Sequence, residues 1–93
     1  MRIVKYTSRF KRDYRREKSG QQGKRLDNIL MEVVDMLAED KSLPRRNLDH
    51  PLTGQGSDHR DCHIRPDRVL IYRKPDDTSL ELVRLGSHSE LGL

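Results

Sequence analysis

Cysteine is almost absent from this sequence. Cys62 stands alone among 93 residues, so no internal disulfide can form. Long apolar runs are missing too: nothing reaches the length of a signal-peptide core or a membrane span, and a cytosolic protein with no membrane partner is expected. There is no His-Glu-x-x-His or cysteine-rich spacing of the sort that marks a zinc site. Repeats and low-complexity segments are also lacking. The chain is 37% charged and only 32% hydrophobic, yet its apolar residues fall in periodic blocks, which argues for a folded domain over disorder. The length suits one domain over residues 1–93, with a thin core.

Positive charge is concentrated at one end. Residues 1–25 hold ten Lys or Arg against two acids, and residues 26–93 hold nine against thirteen, so a segment of +8 precedes one of −4. A basic quarter on an acidic body is an electrostatic footprint for a polyanion, nucleic acid above all, with a solvated helix face as the plain alternative. Arg9, Lys11, Arg12, Arg15, Arg16 and Lys18 are the candidate RNA- or ribosome-binding residues.

Residues 2–6 are rich in β-formers and read as a first strand. Thr7 or Ser8 can cap a helix in which Phe10 and Tyr14 sit one turn apart and which Gly20 stops. A second helix over residues 24–39 carries Leu26, Ile29, Leu30, Val33 and Leu37 at helical spacing, widened by Val34 and Met36. The short link between the two predicts an antiparallel helical hairpin, and Pro44 bars continuation as helix. Residues 41–58 read as a long loop carrying His50. Then Arg65-Pro66-Asp67-Arg68 reads as a tight turn, with Pro66 at the second position and Asp67 at the third. The strand before it therefore pairs with the apolar run from Val69 to Tyr72. Pro75-Asp76-Asp77-Thr78 is a second turn, leading to a last strand over residues 79–85 and a tail. The economical packing is α+β: an antiparallel sheet covered on one face by the helix pair.

Alternation along the strand before Pro66 places Asp61 and His63 on one face and Arg60, Cys62 and Ile64 on the other. Cys62 then reads as a small buried residue, with a reactive thiol as the minor reading. His59 and His63 would lie about 13 Å apart on a strand and cannot share a metal ion. Asp61 and His63 could share one, with His50 or His88 as a third ligand, but no motif supports it. Acid–base chemistry suits the residues better. Histidine titrates near neutral pH, and RNA strand cleavage needs a base for the ribose 2′-hydroxyl and an acid for the leaving 5′-oxygen.

The motifs Asp49-His50-Pro51-Leu52-x-Gly54, Arg60-Asp61-Cys62-His63-Ile64-x-Pro66-Asp67, Leu70-Ile71-Tyr72 and Arg84-Leu85-Gly86-Ser87-His88-Ser89-Glu90-Leu91 resemble the YafQ branch of the RelE/ParE toxin superfamily. The N-terminal half agrees in element order and basic character. The resemblance implies a RelE-like α+β fold, with a strand, a helical hairpin and a three-strand antiparallel meander. It also implies the toxin of a type II toxin–antitoxin pair, an endoribonuclease that cuts messenger RNA in the ribosomal A site. Family residues map onto His50, His63, Asp67 and His88 as catalytic or transition-state-stabilising groups, with Asp61 supporting them. Neither a metal nor a cofactor is implied, and the implied partners are an antitoxin, the ribosome and its message.

Within that framework Asp67 is expected to orient or activate a histidine. His50 or His63 is a candidate base and His88 a candidate acid, while Arg60 or Arg84 would offset phosphate charge. The residues alone do not separate base from acid. Members of the branch commonly carry aromatics near positions 56, 59, 68 and 92, where this chain has Gly56, His59, Arg68 and Gly92. Stacking surface worth about 1–3 kcal/mol per base is therefore lost, with His59 or Arg68 as a ring or planar cation to replace part of it, and weaker activity or an altered specificity is an open reading. The rival readings are a gyrase-poisoning ParE-type toxin and a non-catalytic RNA- or ribosome-binding module using the basic helix alone.

Overall fold

The computed structural model describes residues 1–20, 23–52 and 58–93. Strand β1 (Ile3–Tyr6) leads into helices α1 (Ser8–Lys18) and α2 (Gly23–Ala38). A 3-10 turn at Arg45–Asn47 and a short strand β2 (His50–Pro51) come next. Strands β3 (His59–Arg65), β4 (Arg68–Arg73) and β5 (Ser79–Gly86) follow, and then a short helix α3 (His88–Leu91). Gln21 and Gln22 of the expected helix link, and Gly54 and Gly56 of the long connection, lie outside the described residues.

The expected antiparallel meander is present: β3 pairs with β4 and β4 with β5, and Pro66 and Asp67 form the turn between the first two. The sheet has five strands in the order β1-β5-β4-β3-β2. It departs from the sequence reading in being mixed, because β1 lies parallel to β5. Parallel neighbours need a crossover, and here both long helices and the start of the meander supply the intervening chain. The long connection is also more ordered than a loop, since His50 pairs with Asp61 and Pro51 with Arg60. The tail is helical. Ser87 accepts from the backbone of Glu90 while the Glu90 side chain accepts from the backbone of Ser87, a reciprocal cap that satisfies two otherwise orphaned donors.

Helix α1 begins where Thr7 accepts a hydrogen bond from Phe10 N at 3.0 Å. Helix α2 stops well before Pro44. Asp40 turns left-handed with φ 59°, and the amides of Lys41 and Asp40 close onto the carbonyls of Met36 and Leu37, a Schellman end. Arg2 and Lys74 hold the Asp40 carboxylate, whose pKa falls to about 2 through those two hydrogen bonds. The apolar stripe of α2 (Leu26, Leu30, Val33, Val34 and Leu37) is buried with Phe10 against Cys62, Ile64, Leu70, Leu80 and Leu85 of the sheet.

One core position on α1 is charged. Asp13 is only 2% exposed. Its carboxylate accepts from Arg84 Nε at 2.7 Å, from Leu85 N at 3.0 Å and from Arg16 Nη1 at 3.2 Å, so it bonds α1 to the stretch of β5 beyond its pairing with β1. Burial by itself pushes the carboxyl pKa up, but the hydrogen bonds from Arg84 and Leu85 and the two guanidinium charges outweigh it and hold it below the usual range. A carboxyl depressed on folding confers stability above its unfolded pKa, near 3.8, and that stability is lost as pH falls through the lower folded value. Asp13→Ala is therefore expected to destabilise the protein at neutral pH by roughly 3–5 kcal/mol, because it leaves the Arg84 guanidinium and the buried Leu85 amide without their acceptor. Thermal melts from about pH 5 to pH 2 should show the wild type losing more Tm than the variant. Parallel curves would remove Asp13 from this role.

Candidate active site

Directly opposed residues in neighbouring strands share a face of a sheet. The register aligns His50, Asp61, Ile71 and Arg84 in one row and His63, Val69 and Gly86 in the next. One face therefore collects His50, Asp61, His63 and Arg84, with His88 starting α3 just past Gly86. Cys62 and Leu70 turn to the core between them. The rings of His63 and His88 stand 4.9 Å apart, tilted by 53°. Three of the four candidate catalytic positions, His50, His63 and His88, are thus brought to one side of the sheet.

The fourth, Asp67, is at the hairpin turn with a 75% exposed side chain, and its carboxylate lies 3.5 Å from Arg68 Nη1. It contacts no histidine among the described residues. The carboxylate that does reach a histidine is that of Asp61, whose Oδ1 is 3.1 Å from His50 Nε2. Asp61 Oδ1 is buried and receives no well-aligned hydrogen bond, and the His50 nitrogen facing it compensates for lost water only when that nitrogen carries a proton. Arg60 is not on this face. It points to the core side with Tyr72, and its Nε donates to Asp49 Oδ1 at 3.2 Å.

Of the positions where aromatics were expected, Gly56 lies outside the described residues. His59 Nδ1 is 2.8 Å from Asp58 Oδ1, and Arg68 is ion-paired with Glu17. Gly92 ends α3 with φ +73°, a left-handed conformation that glycine takes without strain. Burial drives the Cys62 thiol pKa upward, which suits an inert core residue and not a nucleophile. Among the basic residues of α1, Arg16 is engaged by Asp13, Glu17 and Glu90, and Lys18 by Asp27.

The sequence reading missed the clamp that holds His50. Leu48 is left-handed at φ 47°, and its carbonyl lies 2.7 Å from His50 Nδ1. A carbonyl only accepts, so Nδ1 carries the hydrogen and Nε2 is the nitrogen left for proton exchange. On one side Asn47 Nδ2 donates to the His63 carbonyl at 2.7 Å, and on the other Tyr72 donates to Asp49 Oδ1 at 2.6 Å. Burial, and then the bond to Asp49, push the Tyr72 phenol above its ordinary pKa, so it stays a donor. The adjacency of Asp49 and His50 was the only sequence signal of this arrangement, and it names no partner. Long-range 15N–1H spectra are expected to show neutral His50 as the Nδ1–H tautomer. Tyr72→Phe should leave the fold intact and cost about 1 kcal/mol, because Arg60 still donates to Asp49 Oδ1, and should leave the tautomer set by Leu48 unchanged. An Nε2–H tautomer in the wild type would refute the clamp.

The family model for the bacterial toxin of the type II toxin–antitoxin system, YafQ, matches residues 2–92. The mRNA interferase toxin YafQ of Escherichia coli K12 is 33% identical over 91 residues, covering 97% of this chain and 95% of its own. Among solved structures, one from the E. coli DinJ–YafQ complex is 29% identical, with a TM-score of 0.79 and 98% of each chain covered. A metal-bound toxin from Helicobacter pylori is 36% identical, with a TM-score of 0.81 over 98% of this chain and 99% of that one. Among the described residues of this chain no group of three or more His, Cys, Asp or Glu is placed to hold a metal ion. Matched from residue 2 to residue 92 and sharing that fold, the chain belongs to the YafQ family of bacterial toxins of type II toxin–antitoxin systems.

Proposed function

We propose that this protein is an mRNA interferase, a single YafQ-like domain over residues 1–93 that cleaves messenger RNA in the ribosomal A site and is held in check by a cognate antitoxin. The observation that carries this reading is the clustering of His50, Asp61, His63 and His88 on one sheet face with Arg84 at its edge. The identity to relatives named as mRNA interferases and the likeness to the DinJ–YafQ complex support it. No helix among the described residues is long and apolar enough to cross a membrane. Ribosomes and their messages place the work in the cytoplasm.

The chemistry is attack of a ribose 2′-oxygen on the adjacent phosphorus. The 2′-proton passes to a base, the O2′–P bond forms, the P–O5′ bond breaks, and an acid delivers a proton to the departing 5′-oxygen. The products are a cyclic phosphate, which can open to a 3′-phosphate, and a 5′-hydroxyl. His50 suits the base: Leu48 orients the ring through Nδ1, Nε2 takes the proton, and Asp61 offsets the charge that then forms. His88, on the far side of His63, suits the acid, and His63 lies between them to stabilise the phosphorane. Asp67 acts from the exposed turn, where it meets the message instead of orienting a histidine. Arg84, at the edge of the same face, offsets charge on the RNA backbone, while Arg60 works indirectly by holding Asp49.

The test is a map of 5′ ends on translated messages after induction, comparing wild type with His88→Ala. Codon-phased cuts by the wild type and at least a roughly hundredfold loss in His88→Ala are expected. Growth arrest by both proteins without cuts would overturn the reading in favour of a gyrase poison or a non-catalytic ribosome binder.

A further inference from the structure

The basic residues of α1 do not form one undivided surface. Arg9, Arg12, Asp13 and Arg16 recur at helical spacing along one side of α1, while Lys11, Arg15 and Lys18 follow another. Lys11 and Arg15 border a groove with Phe10, Tyr14 and Met31, on the side of α1 toward α2. Arg9 and Arg12 open instead into a separate recess of about 270 Å³, lined by those two side chains with Asp13 and Arg84. The recess is several times the ~30 Å³ share of a water molecule, and its lining is polar.

Its floor is built rather than incidental. The Asp13 side chain is 3% exposed and grips Arg84 in a two-point pair, Nε to Oδ2 at 2.7 Å and Nη2 to Oδ1 at 3.3 Å. That pair fixes the guanidinium plane and leaves the Nη1 amino group outside it, available to a ligand. Arg9 and Arg12 make no ion pair among the described residues. Three guanidinium groups against one carboxylate leave the recess cationic and suited to an anion that offers several oxygens. Position identifies which anion. Arg84 ends the row that runs through Ile71 and Asp61 to His50, two strand spacings or about 10 Å from Asp61. A strand of RNA with one phosphate at the histidines has its neighbouring phosphates within reach of that edge.

We infer that Arg9, Arg12 and Arg84 form a phosphate-binding recess, organised by Asp13, that holds an RNA backbone phosphate flanking the one being cleaved. The inference rests on the ribonuclease reading for the identity of the ligand. It assigns the basic helix two roles, with the Arg9–Arg12 side for the RNA substrate and the Lys11–Arg15 side left out of that contact.

The experiment compares two variants of equal charge change, R9Q/R12Q and K11Q/R15Q. Binding of a fully 2′-O-methylated single-stranded oligoribonucleotide, which cannot be cut, is followed over a salt series. Each lost phosphate contact flattens the slope of log affinity against log salt by about 0.7. R9Q/R12Q is expected to weaken binding at least fivefold and flatten the slope by that amount or more, while K11Q/R15Q stays close to wild type. On translated messages R9Q/R12Q should raise KM and leave the pH limbs of kcat unchanged. Equal losses in the two variants, or an R9Q/R12Q protein that loses its grip on an acidic antitoxin segment while binding RNA normally, would overturn the recess. Cleavage by R9Q/R12Q at wild-type KM and slope removes the recess and leaves the ribonuclease. A wild type that cuts nothing but shows the slope difference keeps the recess and removes the ribonuclease.

Discussion

The pleat of β3 carries both halves of this protein. Cys62 and Ile64 point into the core against the helices, and because strand side chains alternate, Asp61 and His63 must point the other way. A slip of one residue would drive a carboxylate and an imidazole into the apolar layer, so the burial that stabilises the fold also fixes which chemistry faces outward. The neighbouring strands inherit this setting. His50 stands opposite Asp61 because β2 pairs with β3, and Arg84 joins the same row because β5 pairs with β4. The candidate site is therefore a consequence of register more than of any single loop.

Two buried carboxylates hold this arrangement in place by different means. Asp13 is satisfied by two arginines and a backbone amide, and it ties the first helix to the edge of the sheet that β1 leaves uncovered. Among the described residues the buried Asp61 Oδ1 has only the His50 ring nitrogen beside it, at 3.1 Å, which makes it the less well compensated of the two. Beside them, Asp49 and the left-handed Leu48 act on His50 from behind, one anchoring its strand and the other choosing which ring nitrogen bears the hydrogen.

Much of this was legible from local chemistry. The stripe from Leu26 to Leu37 specified α2, Pro66 and Asp67 specified the hairpin turn, and alternation placed Cys62 inside and His63 outside. The helix α3 was read only as a tail, although the spacing of Ser87 and Glu90 is that of a capping box. By contrast, the two-residue strand β2 is too short for any periodicity, and its existence depends on what β3 offers it. The expected partnership of Asp67 with a histidine gave way to that of Asp61 because a turn residue points to solvent while a strand residue faces its cross-strand neighbour.

The sequence by itself determined the first strand, the two long helices, the three-strand meander, their faces and the types of group available for proton transfer, because helix and strand periods and turn preferences act over a few residues. Only the tertiary structure decided the partners. Asp13 meets Arg84 across 71 positions, Asp49 meets Tyr72 across 23, His63 stands against His88, and β1 lies parallel to β5. Such pairs depend on strand register and on how helices seat on the sheet. Both are settled by burying apolar surface over the whole chain, and no local pattern encodes them.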